Sequence, residues 1–271
     1  MTSNKIHPPR AYRDEEFLAS PEARPLRMLA EYLEPKDRFE EFNIKDTILV
    51  FGSARLLPRD EADRRIEAAK AGAGDLAQAE TDVLMSRYYE DTRSLCFRLT
   101  EWSKSLKESG RRFVICSGGG PGIMEAANRG ASEARGENIG LGISLPHEQG
   151  INPYVTRKLA FEFHYFFTRK FWFLYLAKAL VIMPGGFGTM DELFECLTLI
   201  QTGKMRKKMP VILYGSEFWN AVINFDALVK FGTISREDLD LFKIVDDVDE
   251  AFEIITAELS AHAIDQPGLR M

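Results

Sequence analysis

Three apolar runs in this chain stop abruptly at small residues, and this pattern constrains the fold more than any other feature. They are ILVFGSAR (48–55), RFVICSGGGPG (112–122) and ALVIMPGGFGT (179–189). Two further runs, IGLGISL (139–145) and MPVILYG (209–215), have the same character. All five are continuously apolar rather than alternating, which is the signature of strands covered by helices on both faces. The segments between them have helical composition. Five such strands predict an α/β, Rossmann-like, doubly wound parallel sheet.

Helical additions surround that unit. Residues 1–45 are polar and punctuated by Pro8, Pro9, Pro21, Pro25 and Pro35, and predict an N-terminal extension with one or two short helices. Residues 46–271 form the Rossmann-like domain, with a helical insertion at about 59–109 that is rich in Ala, Glu, Arg and Leu. The second helix of that insertion is expected from roughly Ala79 to Leu106. Within FHYFFTRKFWFLYLAK (163–178), residues 164–178 read as a helix that is apolar almost all round, hence buried in the core or between subunits. It predicts a homodimer or higher homo-oligomer.

Composition narrows the partners. With 35 Lys+Arg against 41 Asp+Glu, the net charge of −6 lacks the basic surplus that nucleic-acid polymers demand. Cys96, Cys116 and Cys196 are widely spaced, without a CxxC pair, so they predict neither a disulfide framework nor a zinc site. His147 and His164 have no second ligand at metal spacing, and no metal is expected. The most apolar stretch, Phe171 to Met183, contains Lys178 and is too short to span a bilayer. A cytoplasmic protein with no membrane association and no cofactor is the expectation.

Ligands of such sheets bind at the carboxyl ends of the strands. Three ends are built of small residues: Gly52-Ser53, the 117–122 turn with Gly119 and Gly120, and the 184–189 turn. Glycine lets the backbone approach a ligand, and the following helix adds its positive end, so each turn predicts a phosphate cradle. A tight strand-to-helix turn would use glycine equally well. The GGGPG turn is not GxGxxG, and the 141–145 stretch beyond it carries no ribose-binding carboxylate, which argues against a dinucleotide. No GxxxxGK[ST] occurs. A mononucleotide or sugar phosphate remains.

Thr189-Met190-Asp191-Glu192 has two readings. Thr189 at the N-cap with Glu192 at the third helical position would be a capping box. Alternatively Glu192, kept ionised by the helix dipole, faces the ligand and stabilises positive charge on a sugar ring or orients water. Arg169 and Lys170, buried among aromatics, need an anionic partner, either a bound phosphate or a carboxylate such as Glu192; a plain interhelical salt bridge satisfies them too.

PGGFGTMDE (184–192), preceded by Arg169-Lys170, resembles the PGGxGTxxE signature and upstream Arg-Lys pair of the Lonely Guy (LOG) family. SGGGPGIMEAANRGA (117–131) resembles the family's first glycine turn. The resemblance covers roughly 48–215. It implies a Rossmann-like, usually dimeric enzyme that splits nucleoside 5′-monophosphates into free base and ribose 5-phosphate without a cofactor. The nucleotide would be that of a cytokinin or an ordinary purine or pyrimidine. The resemblance further implies that Arg169 and Glu192 are the catalytic pair and that Lys170 contacts ligand. It makes Gly185, Gly186, Phe187, Gly188, Thr189, Met190 and Asp191 the phosphate turn and its flank, with Thr198 a substrate contact and Glu148 a ribose-binding glutamate. A non-catalytic nucleotide sensor, or transfer of the phosphoribosyl group to another acceptor, would use the same pocket.

Overall fold

The computed structural model describes residues 8–106, 110–145 and 150–266. In chain order the elements are α1 (Glu15–Ala19), α2 (Arg24–Glu41), β1 (Thr47–Phe51), α3 (Arg59–Lys70), α4 (Leu76–Ser105), β2 (Val114–Ser117), α5 (Ile123–Glu133), β3 (Asn138–Ile143), β4 (Ala160–Phe163), α6 (Phe166–Leu176), β5 (Ala177–Ile182), α7 (Phe187–Gln201), β6 (Val211–Tyr214), α8 (Ser216–Val222), α9 (Phe225–Lys230), β7 (Lys243–Val245) and α10 (Val248–His262). The strands form one parallel sheet in the order β4-β3-β2-β1-β5-β6-β7. The chain winds one way from β1 to β4 and the other way from β5 to β7, so the switch lies between β1 and β5. There the carboxyl ends diverge and leave a crevice.

The continuous apolar runs are explained by two cores fed from one strand. In β1, Ile48 and Val50 join Leu95 and Leu99 of α4, Ile123 of α5 and Ile255 of α10. Leu49 and Phe51 face the opposite way, toward Phe173 of α6, Leu193 of α7 and Trp219 of α8. Alternate side chains thus need apolar partners on both faces of the sheet.

The structure has seven strands where five runs are legible in the sequence. The two additions, β4 and β7, are the sheet's edges. In β4, Phe161 and Phe163 are buried while Glu162 is exposed, and in β7 Lys243 is exposed. An edge is covered on fewer sides, so its strand lacks the long apolar run.

The segment 59–109 carries the chain from β1 to β2, and α4 supplies the cover over one face of the sheet; it is the crossover itself. Asp75 caps α4 by accepting the N–H groups of Ala77 and Gln78. At the N-terminus α2 is an 18-residue helix, longer than the prolines suggest. Pro25 sits in its first turn, where no intrahelical N–H is needed. Pro35 lies buried in its interior, and tertiary packing overrides the roughly 3 kcal/mol penalty usual there. Tyr32 packs 5.6 Å from the rings of Phe171 and Trp172, and Phe39 5.1 Å from Phe161.

Helix α6 is therefore not buried all round by a partner subunit. One side is covered by this chain's own α2, while Phe166 and Phe167 remain 51% and 55% exposed. Lys178 is buried in β5, against Asp46 at 3.6 Å. Asp46 also pairs with buried Arg112, whose guanidinium donates to the Ala263 and Ile264 carbonyls and anchors the end of α10. The three cysteines are buried and unbonded to one another. No helix among the described residues is long and apolar enough to cross a membrane.

Candidate functional site

A cleft of about 710 Å³ opens over the β1/β5 switch. Its walls are the turn after β1 (residues 52–56), Met124 at the head of α5, Ile143 at the end of β3 with Leu145 beyond it, Arg169 from α6, and residues 184–189 with Asp191 and Glu192 from α7. The backbone ties the walls together. Ser53 donates its N–H to the Pro184 carbonyl at 2.9 Å, and its own carbonyl accepts the N–H of Ile123 at 3.0 Å. The Ser53 hydroxyl accepts the Arg55 N–H within its own turn.

Helix α7 opens at Phe187, with Gly186 as its N-cap and no side chain capping it. This removes the capping-box reading. Thr189 is the third helical residue rather than the cap, and Glu192 lies too far along the helix to reach back. The first helical bond runs from the Met190 N–H to the Gly186 carbonyl at 3.0 Å. The amides of Phe187, Gly188 and Thr189 precede it and have no intrahelical acceptor, an arrangement at the positive end of the dipole that can accept an anion. Gly185 is required by a close approach, because a Cβ there would run into the Thr189 side chain. Space is open around Gly186 and Gly188, where any side chain would occupy the cleft. Phe187 stands 93% exposed at the mouth.

Glu192 is only 6% exposed, and its Oε2 has no hydrogen-bond partner among the described residues. Burial pushes its carboxyl up to about 7, against the pull of Lys170 and Arg169, while Glu195 and Asp191 add to the rise. The expectation that the helix dipole keeps it ionised thus gives way to desolvation, which outweighs it one and a half turns into the helix. A carboxyl balanced near neutrality can take or give a proton.

Arg169 reaches the cleft from α6. Its Nε donates to the Leu141 carbonyl at 2.7 Å, and its guanidinium lies 4.9 Å from the Phe173 ring centroid. A Cβ on Gly118 would come within 2.7 Å of its terminal nitrogen, so glycine is what admits the arginine there. Arg169 and Glu192 therefore face one cleft and act on each other electrostatically.

Other expected residues lie elsewhere. Lys170 points away from the cleft and bridges Asp191 (2.8 Å) and Glu195 (3.0 Å), one turn apart on α7, beside a separate cavity of about 420 Å³. It is the interhelical ion pair held open as an alternative, not a wall of the cleft. Asp191 lines the cleft but is committed to Lys170. Thr198 is exposed, three turns along α7, and donates to the Phe194 carbonyl. Met190 contributes its N–H to the helix rather than a side chain to the cleft. Glu148 lies outside the described residues.

The first glycine turn spends part of its polar backbone on its own surroundings. The Gly119 N–H is bound to Ser117 Oγ at 3.0 Å, and the Gly119 and Gly120 carbonyls accept from Asn152 Nδ2 at 3.0 and 3.1 Å. Gly120 borders only a hollow of about 100 Å³ beside the main cleft. Asn152 in turn donates to Asn128 Oδ1 at 2.9 Å, and Asn128 donates to Asn138 Oδ1 at 3.0 Å. These three asparagines were not legible as a set, since they are scattered over 25 residues. The available signal was Asn128 on the apolar face of α5, where a buried amide must find partners. Among the described residues no group of three or more His, Cys, Asp or Glu could hold a metal ion.

The family described as "Possible lysine decarboxylase" matches residues 124–255. Over 145 residues the chain is 25% identical to a protein of Oryza sativa subsp. japonica described as probable cytokinin riboside 5′-monophosphate phosphoribohydrolase LOG4, a match covering 53% of this chain and 62% of that protein. Among solved structures, the structural-genomics protein TM1055 has 21% identity and a TM-score of 0.48, covering 78% of this chain and 99% of that one. The Moco carrier protein of Chlamydomonas reinhardtii has 20% identity and a TM-score of 0.47, covering 80% and 99%.

Proposed function

The chain belongs to the LOG family, and from that premise we propose that it hydrolyses the N-glycosidic bond of nucleoside 5′-monophosphates to free base and ribose 5-phosphate. The observation that carries the reading is Glu192, a buried carboxyl poised near neutrality that faces the same cleft as the uncapped end of α7. The amides of Phe187, Gly188 and Thr189 receive the 5′-phosphate. That remote contact fixes the ribose, so its binding energy is used at the reacting carbon.

Water attacks C1′ as the bond to the base nitrogen breaks, through an oxocarbenium-like transition state. Ionised Glu192 takes the water proton and opposes the positive charge growing on the ring. Arg169, fixed by Leu141 and close to Glu192, favours the ionised carboxylate and holds the sugar phosphate. The departing base nitrogen is protonated from solvent. Cytokinin riboside monophosphates are one candidate subset of substrates. The exposed Phe166, Phe167 and Phe194 support a homodimer built on the start of α6 and the middle of α7.

The test is a panel of nucleoside monophosphates, including cytokinin forms, with the matching nucleosides as controls and ribose 5-phosphate as the readout. Turnover of the monophosphates alone is expected. Equal turnover of nucleosides, nucleotide binding without any product, or full activity in Glu192→Ala would overturn the reading.

A further inference from the structure

The helix that carries Arg169 is held at both ends by charged side chains from distant parts of the chain. No residue next to α6 caps its first turn with a side chain. Instead the carboxylate of Glu31, on α2, accepts the backbone N–H groups of His164 (2.7 Å) and Tyr165 (3.3 Å) and the hydroxyl of Thr168. The Glu31 carbonyl accepts the indole N–H of Trp172, one turn further on, at 3.1 Å. At the other end Lys207, from the segment before β6, donates its ammonium to the carbonyls of Leu174 (2.6 Å) and Tyr175 (3.3 Å).

A carboxylate at the N-terminus and an ammonium at the C-terminus both match the helix dipole, and both satisfy backbone groups that the helix itself leaves unpaired. Arg169 follows Thr168 directly. Its Nε bond to the Leu141 carbonyl therefore depends on the rotation and height of α6. At the far end α6 passes into β5 without a loop, so any slip of the helix is also a slip of the strand.

We propose that Glu31 and Lys207 are positioning residues that fix α6 and thereby place the Arg169 guanidinium in the cleft. The N-terminal extension is then part of the working site, not an appendage to it. The proposal rests on reading the cleft as the site of nucleotide hydrolysis, but its central bond can be observed without turnover.

The experiment uses the full chain with 15N-labelled arginine, and Arg169→Lys assigns the Arg169 Nε–H resonance. Glu31→Ala removes the acceptors, Glu31→Gln keeps one oxygen in place, and Lys207→Met keeps the stem without the charge. In Glu31→Ala and Lys207→Met the Arg169 Nε–H should lose its exchange protection, and kcat/KM should fall about tenfold or more, as a displaced catalytic group would require. Because Arg169 opposes protonation of Glu192, the acidic limb of the pH profile should move upward in both, with Lys170, Glu195 and Asp191 still facing that carboxyl. Glu31→Gln should recover most of each effect. An unchanged Arg169 resonance and pH profile, with only the melting temperature lowered, would overturn the proposal. If Glu31→Ala fails to fold, Lys207→Met decides it by the same readouts. If the wild type releases no ribose 5-phosphate, the functional reading fails alone, and the resonance still judges the positioning.

Discussion

Replacing Glu192 by glutamine should stabilise the folded protein above neutral pH while abolishing its chemistry. Burial lifts the carboxyl from 4.5 to about 7, so the folded state disfavours the ionised form. Each tenfold change in proton affinity corresponds to about 1.36 kcal/mol, which places the cost of ionising Glu192 in the fold at about 3 kcal/mol. The sign follows from a folded value above the unfolded one. Below about pH 4.5 the group is protonated in both states and nothing is lost, and destabilisation then grows through pH 4.5–7 and is complete above that window. Glutamine has no such charge.

With an unfolding entropy of about 2.1 cal/mol/K per residue, a chain of 271 residues gives about 0.57 kcal/mol/K. Thermal melts of Glu192→Gln and wild type should therefore coincide near pH 4.5 and separate by about 5 °C at pH 8, the variant higher. A separation independent of pH, or a variant less stable than wild type at pH 8, would refute the argument that desolvation dominates at this residue.

For the wild type, kcat/KM should rise with pH through about 7 as Glu192 ionises, and a flat profile from pH 5 to 9 would remove it as the base. Gly185→Ala should suppress nucleotide binding measured by calorimetry, and adding Thr189→Gly should partly restore it by removing all the side-chain atoms that the new Cβ meets. Arg112→Met leaves Asp46 and Lys178 buried with their network broken and should lower stability by about 3–5 kcal/mol in urea unfolding. Light scattering at micromolar concentration should report a dimer, and Phe166→Asp with Phe167→Asp should shift it toward monomer.

The central strands and both glycine turns were readable because a strand buried on two faces needs an unbroken apolar run, and a tight strand-to-helix turn needs glycine. The 184–189 turn, Arg169 and Glu192 are also found together in the cleft, since local motifs fix which residue types lie at the end of β5. The edge strands β4 and β7 escaped notice because partial covering leaves no such run.

Tertiary structure decided the rest, for the same reason in each case: an energy that depends on neighbours far away in sequence. The charge state of Glu192 is set by how deeply α7 packs, which its own turn of helix does not encode. Lys170 faces Asp191 and Glu195 because α6 and α7 lie side by side, and the GGGPG turn is bonded by Asn152, a residue about 30 positions on that Asn128 holds in place. The order of apolar runs specified an α/β sheet with small residues at its carboxyl edge; which of those residues line the β1/β5 cleft was decided only when α2, α6 and α7 packed against one another.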